Sequence, residues 1–422
     1  MRRYAIIGFG CGGYHGAKAI RQLDSGGEIH AFDRLNAPPF NPMLTTYYAA
    51  NRISRSGAFP FGELESICND LHLHFHGAAP VQRVTEERTV ILADGTQMSF
   101  DRILLAVGAN AFLPPLRGLP DRRVMLMRTY ADAQRFRENL VQYPLRRAVV
   151  IGGSMVGIKV AELLYTQGAA VTIADGADWL FPLAALPRVG REIERRLVKR
   201  GISFAWGAVV QKITPAGVLL SSGVELPADM IFLCIGTRPD LKTITRDDGT
   251  FILDVGRGIK VNPRMETSCP GIYAAGDCCE GTNLQTGETL PIGLWANAGY
   301  QGEAAGRSMA GYPEPYAGSI VHNITHFMGM DFIGLGDNRL HGKTVTWGNL
   351  NNGPYIEAVV EGRRLQCVNI LDCYPVSGVL KSLMLAQWSR PGCSLTPAQL
   401  AVLLRQGISL EWIEKIGGIY HA

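Results

Sequence analysis

The sequence carries little net charge, no apolar run of membrane-spanning length and no Cys-x-x-Cys pair. A formal net charge of +4 over 422 residues, without a basic stripe or patch, argues against nucleic-acid binding. The lack of a long apolar run argues against a transmembrane helix, and the first residues already form a predicted strand, which leaves no room for a signal peptide. We therefore expect a cytoplasmic protein that engages neither nucleic acid nor membrane.

The nine cysteines are scattered along the chain. Because none belongs to a Cys-x-x-Cys pair, the sequence indicates no iron–sulfur cluster, zinc site or thioredoxin-like redox pair. The adjacent Cys278 and Cys279 are interpreted as small packing residues rather than as a strained vicinal disulfide.

The histidines do not indicate a metal site either. His72, His74 and His76 alternate in a strand-like run, so all three are predicted to share one face of a strand. Neighbours would then lie ~6.6 Å apart and the outer pair ~13 Å apart, which is too far for three ligands of one ion. His322 and His326 fall in a predicted strand or turn, where they would not converge. We therefore predict no metal site.

Glycine, in contrast, is abundant. It makes up 49 of 422 residues, or about 12%, whereas an average protein has roughly 7%. Two glycine-rich segments each follow a short apolar run and precede a stretch that suits a helix. Here glycines permit a tight turn and a close approach of the backbone to a pyrophosphate, whose charge the first N–H groups and the dipole of the helix stabilise. The predicted phosphate-binding residues are Gly8, Gly10, Cys11, Gly12 and Gly13 in the first segment and Gly152, Gly153, Ser154, Met155, Val156 and Gly157 in the second.

An acidic residue ends the strand that follows each segment. Asp33 lies 25 residues beyond Gly8, and Asp175 lies 23 residues beyond Gly152, close to the roughly 20-residue spacing at which a carboxylate accepts hydrogen bonds from the adenosine ribose. No arginine closely follows Asp175, and its carboxylate would repel a 2′-phosphate, so the second site is predicted to bind NAD(H) rather than NADP(H). We include Arg34, beside Asp33, in the first site. Ordinary turn acids at strand ends are the alternative interpretation.

A third motif covers residues 267–277 and ends in Gly276 and Asp277. It resembles the second FAD-binding signature of the FAD-dependent pyridine nucleotide-disulfide oxidoreductase family. Further matches occur in family order, and they are residues 104–108, 126–133, 229–239 and 294–302. Several ordered motifs are a far more specific signal than one glycine-rich loop. The resemblance points to the branch that contains ferredoxin reductases and nitrite reductase flavoproteins.

The resemblance implies an α/β fold of two Rossmann-like dinucleotide-binding domains, in which the NAD domain interrupts the FAD domain. The expected segments are 1–113 for the first part of the FAD domain, 114–240 for the NAD domain, 241–311 for the second part of the FAD domain and 312–422 for a C-terminal α+β interface domain. The resemblance also implies bound FAD and NAD, with Asp277 hydrogen-bonded to the flavin ribityl chain. Gly108 and Gly236 are expected at cofactor-binding turns. The interface domain is a candidate surface for a homodimer.

Two departures from the family pattern affect the predicted chemistry. Where disulfide reductases of the family place a redox-active cysteine, this chain has Met43, whose thioether cannot form a thiolate. Where the family usually has a glutamate near the nicotinamide, this chain has Lys159. Its ammonium either stabilises negative charge on reduced flavin or binds an acidic group, or else the side chain extends to solvent without a role. Lys159 and Trp295 are the candidate catalytic residues.

The sequence therefore predicts an FAD-dependent NAD(H) oxidoreductase that passes electrons between NADH, flavin and an acceptor. The acceptor is left open between a small redox protein, a partner subunit and oxygen. The alternative is an FAD-binding electron-transfer subunit of a multi-subunit dehydrogenase with weak or no use of NADH.

Overall fold

Short apolar runs form the buried strands of a computed structural model that describes residues 1–390 and 392–419. The strands are β1 (Arg3–Ile7), β2 (Glu28–Phe32), β3 (Leu73–His76), β4 (Val81–Val84), β5 (Thr89–Leu92), β6 (Gln97–Ser99), β7 (Arg102–Leu105), β8 (Ala109–Ala111), β9 (Val124–Met125), β10 (Arg147–Ile151), β11 (Ala170–Ala174), β12 (Ser203–Ala205), β13 (Val210–Ile213), β14 (Gly217–Leu220), β15 (Glu225–Pro227), β16 (Met230–Leu233), β17 (Thr237–Pro239), β18 (Ile272–Ala274), β19 (Gly281–Thr282), β20 (Thr289–Leu290), β21 (His322–Phe327), β22 (Met330–Gly336), β23 (Lys343–Gly348), β24 (Tyr355–Glu361) and β25 (Arg364–Leu371).

Helices connect many of these strands. They are α1 (Cys11–Leu23), α2 (Thr45–Ala49), α3 (Leu64–Leu71), α4 (Tyr130–Gln142), α5 (Met155–Thr166), α6 (Pro187–Val198), α7 (Trp295–Ala310), α8 (Ser377–Ser389), α9 (Pro397–Arg405) and α10 (Leu410–Lys415). Short 3₁₀ turns occur at Pro42–Leu44, Ser56–Ala58, Lys242–Ile244 and Tyr374–Val376. Among the described residues, no helix is both long and apolar enough to cross a membrane.

Two parallel sheets organise most of the chain. The first has the strand order β18-β7-β1-β2-β3 and the second has the order β12-β11-β10-β16-β9. Every neighbouring pair in both sheets runs parallel. Each sheet is accompanied by a three-stranded antiparallel meander, β4-β5-β6 in the first case and β13-β14-β15 in the second. The chain builds the whole second sheet between β7 and β18 of the first, which confirms the predicted class of two Rossmann-like units, one interrupting the other.

The two connections between these units pair with each other. Strand β8 leaves the first sheet, strand β17 returns to it, and they form a two-stranded antiparallel ladder in which Asn110 faces Arg238. The Asn110 side-chain amide donates to Asp240 Oδ2 at 2.9 Å. Outgoing and returning chain are thus held together where the insertion begins and ends.

The C-terminal part is an antiparallel sheet with helices, as expected. Its strand order is β21-β22-β25-β24-β23, and α8 to α10 follow in the chain. Thr396 caps α9 in a capping box with Gln399, and Pro397 occupies the first turn, as the sequence predicts. The sequence predicts a final helix that starts at Thr396 and Pro397, and the structure has a further helix, α10, after it.

One hydrophobic core joins the second parallel sheet to the C-terminal sheet. This core buries Phe181 together with Val150 of β10 and Phe332 of β22. The rings of Phe181 and Phe332 stack at a centroid distance of 5.1 Å. This packing holds the turn between β21 and β22 against helix α5, which carries the second glycine-rich segment.

Candidate functional site

The first glycine-rich segment forms a tight loop between β1 and α1. Gly8 has φ +91°, and a Cβ there would lie 2.5 Å from the Ala106 carbonyl oxygen. A Cβ on Gly13 would lie 2.2 Å from the Gly8 carbonyl oxygen, whereas one on Gly10 would meet nothing within 4 Å. Only glycine fits the two crowded positions. The loop therefore folds tightly beneath an open space that the first N–H groups of α1 border, and these residues fit a pyrophosphate.

Helix α7 covers the first loop. A Cβ on Gly302 would lie 2.2 Å from the Gly12 carbonyl oxygen, and one on Gly12 would lie 3.3 Å from the Ala298 carbonyl oxygen. The Cys11 thiol donates to the Trp295 carbonyl oxygen at 3.3 Å. Burial, with a smaller contribution from the Asp277 carboxylate, raises the pKa of the Cys11 thiol to about 12. Cys11 is therefore a protonated packing residue at neutral pH.

Asp33 closes the first loop. Its carboxylate accepts the backbone N–H of Phe9 and that of Leu35, both at 2.8 Å. The neighbouring Arg34 is exposed, and its guanidinium lies 3.5 Å from the Asn110 side-chain oxygen. Asp33 is thus at the mouth of the loop, at the place from which a strand-end carboxylate reaches an adenosine ribose.

Asp277 lies in an ion pair that the sequence did not indicate. Its carboxylate accepts from the Arg128 guanidinium at 2.6 Å. Gly276 before it has φ +82°, and its N–H donates to the Gln301 side-chain oxygen at 2.9 Å. Arg128 belongs to one of the matching segments, 126–133, but no local signal tied it to a carboxylate 149 positions later.

The second loop, between β10 and α5, repeats the first. Gly152 has φ +118°, and its Cβ would lie 2.4 Å from the Cys234 carbonyl oxygen, while a Cβ on Gly157 would lie 2.0 Å from the Gly152 carbonyl oxygen. Ser154 caps α5, since its hydroxyl accepts the Gly157 N–H at 3.1 Å and donates to the Cys234 carbonyl at 2.9 Å. Among the other predicted residues, Met155 is half-buried and Val156 is 42% exposed.

Asp175 closes the second loop as Asp33 closes the first. It accepts the N–H of Gly153 at 2.7 Å and that of Ala177 at 2.9 Å. The Trp206 ring lies beside this carboxylate, because a Cβ on Gly153 would be 3.0 Å from the indole and 3.6 Å from Asp175 Oδ2. No pattern in the sequence singles out Trp206, which directly follows β12.

The other two glycines of the predicted site lie at turns after central strands. Gly108 has φ +72° and Gly236 has φ +95°, and a Cβ on either would meet nothing within 4 Å. Each follows the strand that pairs with the strand leading into a loop, β7 beside β1 and β16 beside β10. Both turns therefore lie at the same sheet edge as the loop that they accompany.

Lys159 does not extend to solvent, so that alternative is wrong. Its side chain is only 11% exposed. The ammonium bonds Glu162 Oε2 at 2.5 Å and the His326 carbonyl oxygen at 2.7 Å, and it lies 4.6 Å from the centre of the Tyr47 ring. A cation is satisfied here by a carboxylate one helical turn away, a backbone carbonyl and an aromatic face.

Glu162 is a candidate residue that the sequence analysis missed. Burial disfavours its ionised form, but the hydrogen bonds from the Lys159 ammonium and the Met328 N–H, with the nearby charge of Arg52, hold the pKa of this carboxyl below its ordinary value. The carboxylate lies at a small pocket lined by Thr46, Tyr47, Ala50, Arg52, Lys159, Glu162 and Leu163. The i to i+3 spacing from Lys159 was the one available signal.

Trp295 begins α7 and lies beside the first loop rather than beside Lys159. Its half-buried ring stacks on Phe61 at 5.7 Å, and Phe61 stacks on Tyr14 of α1 at 4.1 Å. Met43 is 58% exposed on a 3₁₀ turn. The structure thus places the two candidate catalytic residues in different surroundings, one in an aromatic stack and one in an ion pair.

The prediction for the three clustered histidines is partly wrong. Strand β3 begins at Leu73, and His72 precedes it in a left-handed conformation with φ +47°. His74 and His76 lie in the strand, but they meet His30 of the neighbouring strand β2. The spacing of the three histidines does not show that His30 of the neighbouring strand lies beside them. Cys278 and Cys279 are free thiols and fully buried, as predicted.

Several known proteins are similar to this chain in sequence or in fold. The sequence profile of the pyridine nucleotide-disulphide oxidoreductase family matches residues 2–302. The chain is 27% identical to subunit epsilon of NADH-dependent phenylglyoxylate dehydrogenase from Aromatoleum evansii, over 85% of both chains. It is 30% identical to the nitric oxide reductase FlRd-NAD(+) reductase of Vibrio vulnificus, over 69% of this chain and 76% of the relative. The structure of a water-forming NADH oxidase from Lactobacillus brevis superposes with a TM-score of 0.82 at 19% identity, over 99% of this chain and 100% of the other.

Proposed function

We propose, for a chain that belongs to the pyridine nucleotide-disulphide oxidoreductase family, that it carries FAD and uses NADH to reduce a small redox protein. The observation that carries this proposal is the pair of matched loops, each closed by a carboxylate that bonds the loop backbone, Asp33 at Phe9 and Asp175 at Gly153. Two loops of this design provide for two dinucleotides. The name of the Vibrio relative, an FlRd-NAD(+) reductase, supports a protein acceptor.

FAD fits the first loop. The open space over Gly10 admits a pyrophosphate, and Asp33 stands at the end of the adjacent strand. Asp277, at the end of the third motif, is fixed by Arg128 and can accept hydrogen bonds from a polyol chain. Bound FAD supplies hydride acceptance from NADH and release of the electrons to the acceptor, so the side chains need only bind, orient and shield the reactants.

NADH is assigned to the second loop. The Asp175 carboxylate can accept both ribose hydroxyls of NADH, whereas the 2′-phosphate of NADPH would meet a negative charge. Lys159 occupies the position at which the family usually has a glutamate. Glu162 lies three residues later on the same face of α5. We infer that Glu162 supplies the carboxylate near the nicotinamide and that Lys159 positions it.

The decisive experiment is anaerobic titration of FAD-loaded protein with NADH and, separately, with NADPH, following the flavin absorption band. We expect NADH to bleach the flavin at much lower concentration than NADPH. Equal reduction by NADPH would contradict the assignment of Asp175. Steady-state reduction of a rubredoxin or a [2Fe–2S] ferredoxin by NADH then tests the acceptor, and turnover with oxygen alone would contradict a protein acceptor.

A second candidate function is favoured by one observation. The Aromatoleum relative is named as a subunit of a dehydrogenase and matches 85% of this chain. In that case the chain would be an electron-transfer subunit, and the relative's name, which includes NADH-dependent, supports that role without supporting weak use of NADH. If the use of NADH were nonetheless weak, dithionite would bleach the flavin while NADH would not in the same titration.

A test of the FAD assignment uses two ion-paired aspartates. Asp277→Ala removes a carboxylate 17% exposed beside Arg128, and Asp247→Ala removes one 84% exposed beside Arg83. We expect the first variant to lose most of its FAD, since a hydrogen bond to a charged group contributes about 1.5–3 kcal/mol. The second should keep its FAD. Full FAD content in both variants would contradict the assignment.

The homodimer through the C-terminal domain remains a proposal. Leu404 of α9 and Leu410 of α10 are 42% and 49% exposed there. Large contiguous apolar patches mark interaction surfaces, and these two leucines would be the apolar part of such a patch in a dimer. Light scattering on the purified protein tests it, with Leu410→Lys expected to give monomers.

A further inference from the structure

A second polar cluster lies away from both loops, on the outer strands of the first sheet. Glu28 and His30 of β2 and His74 of β3 each offer one atom that can bind a metal, and these atoms lie within 4.8 Å of one another. We propose that Glu28, His30 and His74 bind one divalent transition-metal ion of the Zn²⁺ class. This site is independent of the proposed function.

The convergence follows from strand register. In the parallel pair β2 and β3, His30 is the direct partner of His74, so the two side chains emerge on the same face of the sheet. Glu28 lies two residues before His30 and therefore shares that face. The imidazole rings of His30 and His74 stack at a centroid distance of 4.7 Å, so the His74 ring must rotate before its in-plane nitrogen lone pair can point at an ion held by His30. Two neighbouring strands thus present a carboxylate and two imidazoles on one face of the sheet.

The distances suit a metal after a small movement. Zn²⁺ with ligands at about 2.0–2.1 Å needs ligand atoms about 3.3 Å apart in a tetrahedral site. His30 Nε2 and Glu28 Oε1 are 2.6 Å apart, so an ion would replace the proton between them and move them slightly apart. His74 must move inwards by up to about 1.5 Å to reach the separation of a tetrahedral site, and its exposed position allows this. Water completes the coordination.

The surroundings orient both inner ligands. His30 is 6% exposed, and its Nδ1 lies 2.9 Å from His76 Nε2. With Nε2 bound to an ion in place of its proton, Nδ1 would carry the N–H and donate it to His76. Glu28 Oε2 bonds the Arg3 guanidinium at 3.3 Å. Hydrogen bonds of this kind from the far side of a ligand typify metal sites and set the tautomer of the histidine. The charge of Arg3 acts against a cation, and the carboxylate and the two neutral imidazoles must outweigh it.

The competing interpretation is a chain of hydrogen bonds, Glu28 to His30 to His76, that needs no ion. It gives no role to His74, whose ring nitrogens it does not use. Metal binding requires His74 and releases the proton held between Glu28 and His30. The two interpretations therefore differ in the consequence of removing the exposed His74 side chain.

The experiment uses the FAD-loaded full chain, freed of metal with EDTA. Equilibrium dialysis against Zn²⁺, read by elemental analysis, should show one high-affinity ion per chain. His74→Ala and Glu28→Gln should each weaken binding at least about tenfold. His72→Asn is the matched control, because His72 is exposed two residues before His74 but outside the cluster, and asparagine tolerates its left-handed conformation. This variant should bind Zn²⁺ like the original protein.

A second readout separates binding in the cluster from binding elsewhere. Zn²⁺ should raise the melting temperature of the protein and of His72→Asn but not that of His74→Ala, since an ion that binds only the folded state stabilises it. His76→Leu should keep the stoichiometry and weaken affinity about 10–100-fold. No Zn²⁺ uptake, uptake that persists in His74→Ala, or uptake lost in His72→Asn would each overturn the proposal, whatever NADH titration shows.

Discussion

The two dinucleotide loops share one backbone design and differ in what covers them. In both, a strand leads into a glycine of positive φ, and a carboxylate from the next strand bonds the following N–H. The first loop packs against helix α7. A Cβ added to Gly12 would lie 3.3 Å from the Ala298 carbonyl oxygen of that helix. At the equivalent place in the second loop, Val156 is 42% exposed.

The loop motif and the helix that packs on it therefore have separate roles. The motif provides a place for a pyrophosphate in both halves. The cover restrains the backbone of the first loop, because α7 packs on Gly12 while an added Cβ on Gly10 would meet nothing within 4 Å. A loop restrained in this way suits a resident cofactor, and the less covered second loop suits a nucleotide that exchanges at each turnover.

The largest expected effect comes from adding bulk at the covered position. Gly12→Val forces α1 away from α7, and overpacking of this kind costs about 1–3 kcal/mol. We expect a lower melting temperature and loss of most FAD during purification. The reverse change in the other loop, Val156→Gly, should cost only about 0.5–1 kcal/mol through backbone entropy. Equal effects of the two changes on FAD content would show that the cover is unimportant.

The next effect separates the carboxylates. Each of Asp33 and Asp175 accepts two backbone N–H groups, and alanine removes both hydrogen bonds. Asp175→Ala should raise the KM for NADH about 10–100-fold, as expected from about 1.5–3 kcal/mol per charged hydrogen bond, and leave the FAD content unchanged. Asp33→Ala should lower the FAD content instead. Steady-state kinetics and flavin absorbance measure both, and interchanged outcomes would contradict the assignment of FAD to the first loop.

A smaller effect tests the helix cap that distinguishes the second loop. Ser154→Ala removes the side-chain bond to the Gly157 N–H, which costs about 1 kcal/mol at an N-cap. Ser154→Gly should cost only a few tenths of a kcal/mol, because the first loop functions with Gly10 in the same place and no side-chain cap. Thermal unfolding of both variants, followed by circular dichroism, provides the comparison. Equal destabilisation by alanine and glycine would be unexpected.

The smallest effect is expected at Cys11, the counterpart of Met155. With its pKa raised to about 12, the thiol is protonated throughout the neutral range, and the thiolate appears only near or above that pH. Iodoacetamide should therefore leave Cys11 unmodified in the folded protein below pH 9. Full reduction with dithionite should consume one two-electron equivalent per FAD in both the original protein and Cys11→Ala. A second equivalent that disappears in the variant would reveal a redox-active thiol.

Much of the candidate site could be predicted from the sequence because it is local. The loops and the acids at strand ends are each set by residues within one βαβ unit, and such units fold into one geometry. The same holds for the cap of α9 by Thr396 and Pro397. His72 was assigned wrongly because alternation alone does not show where a strand begins, and the left-handed residue before β3 interrupts it.

The two phosphate loops, their acids and the order of the units could be predicted from the sequence, since these depend on neighbours in the chain. The pairing of Arg128 with Asp277, the burial of Lys159 beside Glu162 and the contact of His30 with His74 arise only in the folded chain. Each of these contacts joins residues whose distance depends on how helices pack or on which residues of two strands face each other. Hydrophobic packing fixes those relations across the whole chain, and no local spacing encodes them.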